Sequence, residues 1–105
     1  MKEYSVFLTP DAKQDINEIY DYIAFEKGAP ESAIAYIRKL RDKCYKLEYT
    51  PIRGRNRSDI REGLRVLALD KNAVAAFDVN EKQQTVRILG VFYGGQNYDA
   101  IMRDD

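Results

Sequence analysis

The chain contains no histidine and a single cysteine, Cys44. Without an imidazole, serine–histidine–aspartate triads, cysteine–histidine pairs and histidine-ligated zinc are all excluded. One thiol makes neither an intrachain disulfide nor a thiolate cage for a metal, which fits a reducing compartment. A charge imbalance is missing too. Seventeen basic and seventeen acidic residues cancel, so only local charge can argue for a polyanionic partner. No apolar stretch approaches the roughly 20 residues needed to span a bilayer. The opening "MKEYSVFLTPDAKQD" lacks the apolar run of a secretory signal, and neither a P-loop nor a dinucleotide-binding glycine fingerprint occurs. These absences predict a cytoplasmic protein, unanchored in any membrane, with no metal and no cofactor.

What is present fits one small α+β domain over residues 1–105, with 45% hydrophobic and 32% charged residues. "YSVFL" (Tyr4 to Leu8) reads as a strand. Thr9, Pro10 and Asp11 then supply an N-cap, a first-turn proline and an acid near the positive end of a helix dipole. Ala12, Ile16, Ile19, Tyr20 and Ile23 fall on one helical face, and Gly28 is a good stop. A second helix opens at Pro30, and Ala33, Ile37, Leu40, Cys44 and Leu47 form its seam. The short connection makes the two helices antiparallel neighbours. "LRVLALD", "AVAAFDV" and "TVRILGVFY" follow as a three-stranded antiparallel meander. Ile88–Phe92 is apolar on both alternating faces, so a cover is expected on each side. The helical hairpin supplies one, and a partner is a candidate for the other. "QNYDAIMRDD" reads as a polar tail with one helical turn.

The chemistry-bearing residues are unevenly placed. Five of nine arginines lie in "PIRGRNRSDIREGLR", Pro51 to Arg65. Arg53, Arg55 and Arg57 alternate and would project together from an extended segment. Arg61 and Arg65 follow, with Asp59 and Glu62 offsetting part of the charge. Guanidinium forks bind carboxylates or phosphates bidentately, so this stretch is a candidate anion-binding rim, for an acidic partner segment or nucleic-acid phosphates. Tyr93 and Tyr98 flank Gly94-Gly95, where a ligand can reach them. Cys44 reads as a buried seam residue. Asp11, Asp15, Glu18 and Asp21 read as the solvated face of the first helix.

The order strand, helix, helix, three strands resembles the RelE/ParE superfamily of bacterial type II toxins. The resemblance rests on "LTPDAKQDINEIYDYI", "AIAYIRKLRDKCYKLEYTPIRGR", "IREGLRVL" and "TVRILGVFYGG". "TPIRGR" followed by "REGLRVL" is more similar to the ParE branch. That branch implies binding to DNA gyrase, growth inhibition, plasmid stabilisation, and neutralisation by a cognate antitoxin. The RelE branch implies an endoribonuclease acting on mRNA at the ribosome. Its residue set maps poorly. Val74 stands near a common arginine position, and Tyr93–Asn97, "YGGQN", is uncharged where the RNase branch is basic. Arg65, Tyr93 and Tyr98 are the residues left for such chemistry. The ParE pattern of histidine, glycine and arginine falls at Tyr93, Gly94 and Gln96. The resemblance therefore implies a binding toxin contacting partners through Arg53, Arg55, Arg57, Arg61, Arg65, Tyr93, Gln96 and Tyr98, with an mRNA interferase or an inactive relative as alternatives.

Overall fold

Thr9 ends one element and begins the next. β1 (Ser5–Leu8) stops before it, and α1 (Pro10–Asp21) starts after it. The Thr9 hydroxyl accepts from the Ala12 amide at 3.2 Å and donates to the Ile88 carbonyl at 2.8 Å. The cap therefore also pins the helix to the sheet. The computed structural model describes residues 3–103. α1 buries Ala12, Ile16 and Ile19 and continues into a π-helical turn, Tyr22–Glu26, that buries Ile23 and Ala24. After Gly28 the chain reverses into α2 (Pro30–Tyr45), which buries Ala33, Ile37, Leu40 and Cys44. A 3₁₀ turn, Lys46–Glu48, adds Leu47. These are the seams that the spacing predicts. The π-helical turn is the unanticipated part.

The remaining elements are β2 (Arg55–Asn56), β3 (Arg65–Asp70), β4 (Ala73–Asn80), β5 (Thr85–Tyr93) and α3 (Tyr98–Arg103). The sheet order is β1-β5-β4-β3-β2. β1 runs parallel to β5, and all other pairs are antiparallel. The meander and its central β5 are as read from the sequence. β2 is an addition of two residues inside the arginine stretch, too short and too polar to leave a strand pattern. No helix among the described residues is long and apolar enough to cross a membrane.

The helical hairpin covers one sheet face, burying Phe77, Val86, Ile88 and Val91 against Ile16, Leu40 and Leu47. The second face corrects an expectation. A partner is not needed to cover it where β3, β4 and β5 meet, because the chain's own tail does so. Gly94 and Gly95 both adopt positive φ, +67° and +84°, a conformation natural to glycine. They fold α3 back, and Met102, only 4% exposed, packs with Leu64, Val66, Ala76 and Phe92. Cover is incomplete: Phe7 on β1 remains 44% exposed.

Candidate functional site

The arginine stretch does not act as one rim. β2 pairs Arg55 with Val66 and Asn56 with Arg65, and the Arg57 amide continues the ladder to the Leu64 carbonyl at 2.8 Å. Directly opposed residues share a face. Arg55 and Arg57 thus point to the side of Val66 and Leu64, where the tail lies. Arg53 is set apart by Gly54. At φ +85°, Gly54 brings the backbone so close to β3 that an added Cβ would stand 2.3 Å from the Val66 carbonyl oxygen.

Arg57 is engaged within the chain. Its guanidinium forks onto Asp59 with two bonds of 3.0 Å and reaches Asp99 at 3.1 Å. It also donates to the Tyr98 hydroxyl at 2.8 Å, and lies 5.8 Å from the centroid of that ring. Arg103 closes the cluster through Asp99 and Asp59. The hydrogen bond from Arg57 holds the Asp59 carboxyl below its ordinary value, and Arg103, then Arg57, do the same for Asp99. This network ties the tail helix to the loop after β2. Arg65 is also committed. It donates to the Ile52, Arg53 and Gly54 carbonyls at 2.7, 3.5 and 3.3 Å, fixing the preceding turn. Arg61 has partners of its own. Arg53 and Arg55 are exposed, and no described acid forms an ion pair with either.

Tyr93 and Tyr98 lie on opposite sides of the sheet, although five residues apart in sequence. Tyr93 packs on the hairpin side, its ring 5.6 Å from Tyr36 and 6.1 Å from Tyr22. Tyr98 packs on the tail side, 6.1 Å from Phe92. The Gln96 side chain accepts from the Tyr93 amide at 3.0 Å, bracing the Gly94-Gly95 turn. The residues left for RNase chemistry, Arg65, Tyr93 and Tyr98, therefore serve three separate neighbourhoods.

Three features escaped the sequence reading. Asp15 is half-buried, not part of a purely solvated face. Its Oδ2 accepts from the Val91 amide at 2.9 Å. Burial pushes its carboxyl above the ordinary value, against the Val91 hydrogen bond, with Glu18 and Asp11 adding to the rise. Lys43 and Lys46 join Arg53 around a small cavity on β3; the three-residue spacing of the two lysines, one in the last turn of α2 and one in the 3₁₀ turn after it, was the available signal. Asp59, Asp99 and Arg103 complete the Arg57 cluster, and only tertiary folding unites them. Cys44 is fully buried and its thiol is pushed up to about 12 by that burial, so it is inert as a nucleophile. Among the described residues no cluster suited to a metal ion occurs.

Comparison with known proteins then places the chain. No curated protein sequence matches it significantly. The ParDE system of P. aeruginosa contains a chain that superposes with a TM-score of 0.71 at 25% identity, covering 87% of this chain and 96% of that one. The M. tuberculosis RelBE2 toxin–antitoxin complex gives 0.62 at 19% identity over 87% and 98%. An E. coli RelE mutant in the free state gives 0.64 at 8% identity over 97% and 95%. At 19% and 8% identity the likeness is one of fold. The family model for the ParE toxin of type II toxin–antitoxin systems matches residues 6–98. The chain belongs to the ParE toxin family, within the RelE/ParE superfamily.

Proposed function

We propose that this toxin arrests growth by binding DNA gyrase, without catalysing a reaction, and that a cognate antitoxin neutralises it in the cytoplasm. Family membership supports a target-binding toxin, and the structural relatives drawn from ParDE and RelBE systems support the antitoxin. The observation that carries the choice of mechanism is the dispersal of the RNase set. Stabilising a phosphorane-like transition state needs cations preorganised around one point. Here Arg65 is spent on three backbone carbonyls, and Tyr93 and Tyr98 occupy opposite faces.

Induction in cells lacking an antitoxin tests the reading. Growth is expected to stop while translated messages stay intact, and co-expression of a small acidic protein from the neighbouring reading frame is expected to restore it. Cleavage within translated messages would favour an mRNA interferase instead. Undiminished growth would mark an inactive relative.

A further inference from the structure

β3 is longer than the strand that borders it. β2 pairs only with Arg65 and Val66, and Arg57 extends the ladder in the other direction, to Leu64. Past Val66 the chain has left: Gly54 turns it away, and the Arg53 amide bonds back to Thr50 at 3.1 Å. β3 therefore has β4 on one side and no strand on the other from Leu67 to Asp70. The Leu64 carbonyl accepts from the Arg57 amide, and Val66 pairs with Arg55 of β2. By the alternation of an antiparallel ladder, Ala68, which is exposed, directs its backbone groups towards the open side.

The surroundings of that edge are cationic and partly apolar. A cavity of about 140 Å³ is lined by Lys43, Lys46, Arg53, Leu67 and Ala68. No carboxylate lines it. The Lys43 ammonium donates to the Leu69 carbonyl at 2.5 Å, so its charge sits directly on the edge. Tyr49 and Ile52, 52% and 72% exposed, lie in the turn between α2 and β2. Lysines near a helix C-terminus are favoured by the dipole, and edge lysines deter unwanted pairing. Two copies of this chain meeting here would bring their cations together, which disfavours self-association. An acidic strand reverses the sign of that interaction.

We propose that the outer edge of β3, centred on Ala68, takes an extended, acidic peptide segment as an added strand, held by backbone hydrogen bonds and by Lys43, Lys46 and Arg53. Every second residue of such a segment would face the hairpin side, where a carboxylate meets the cations beside Leu67, and the residues between would face the other side of the sheet. Nucleic acid is the less favoured occupant, because its phosphates can accept from the Ala68 amide but offer no donor to the Ala68 carbonyl. The inference rests on the antitoxin reading only for the source of the segment.

The test uses the purified full chain and a blocked, fluorescein-labelled peptide of about eight residues, an ordinary strand length, alternating glutamate and valine. Anisotropy is expected to show binding that weakens with added salt, and hydrogen exchange is expected to slow at the Ala68 amide. The same peptide N-methylated on alternate amides keeps its charge but cannot pair; its affinity should fall at least about tenfold. The exposed pair Lys46→Glu and Arg53→Glu should shift preference to a lysine–valine peptide. Equal binding of the N-methylated peptide, or of an RNA oligonucleotide in place of the acidic peptide, would overturn the strand-addition site. Failure of the antitoxin reading shows separately: the peptide would bind as described, while the neighbouring protein neither protects growth nor competes for the edge.

Discussion

Asp15 has work to do because β1 ends too early. β1 pairs with β5 only as far as Leu8 against Ile88, so the β5 edge beyond Ile88 lacks a strand. Thr9, Asp15 and Gln96 satisfy parts of that edge from their side chains. Asp15→Ala leaves the Val91 amide unpaired and is expected to cost about 1–3 kcal/mol, read from the urea midpoint. Asp15→Asn keeps an acceptor and should cost less. The sign with pH follows from the raised carboxyl. The folded state holds the Asp15 proton more tightly than the unfolded chain, so this residue contributes most at low pH. That contribution is lost as pH rises from the ordinary carboxylate value through the raised one. Asp15→Asn should remove this dependence. At the same scale, Arg53 and Arg55 are the exposed arginines of the Pro51–Arg65 stretch for which no described ion pair occurs. Replacing Arg55 by glutamate should weaken antitoxin affinity at least about tenfold in a calorimetric titration with stability unchanged, whereas Arg57→Glu should also free the tail.

Among the elements, the tail helix and β2 depend on a few contacts each. α3 is held by Met102 in the second core and by the Arg57, Asp59, Asp99 and Arg103 network. Asp59 and Asp99 have lowered carboxyl values, so their support is present above the ordinary carboxylate range and is lost as pH falls through the lowered values. Hydrogen exchange should show the Ile101 amide, which bonds to Asn97, opening at low pH before the β4 and β5 amides do. Met102→Ala should produce the same early opening at neutral pH. Gly54→Ala forces its new carbon onto the Val66 carbonyl and an unfavourable positive φ. It is expected to detach β2 and lower the thermal midpoint, as seen by calorimetry.

These elements also mark what the sequence could carry. The hairpin was legible because Ala33, Ile37, Leu40 and Cys44 repeat at helical spacing and bury as a seam. The meander was legible because its strands are long and apolar. β2 has only Arg55 and Asn56, with no periodicity to detect, and its existence depends on Gly54 admitting a close approach. The tail docks through Met102 and Tyr98 and through ion pairs to the loop after β2, all within a polar segment that shows no apolar periodicity. The pairing of Arg57 with Asp99 spans 42 residues and no local pattern encodes it. The charged stretch was therefore legible in the sequence, while the division of its arginines into those tied within the chain and those left exposed required the fold.

At the scale of the whole molecule, a chain of zero formal net charge presents a sheet with a helical hairpin on one face and a latched tail on part of the other. Its described cations are divided between internal ties, as at Arg57 and Arg65, and exposed positions such as Arg53 and Arg55. The most direct measurement is supercoiling of relaxed plasmid by purified DNA gyrase with increasing amounts of this protein. Supercoiling is expected to fall as the toxin is added and to recover when its antitoxin is supplied. Gyrase that supercoils at full rate in a molar excess of folded toxin would contradict that expectation.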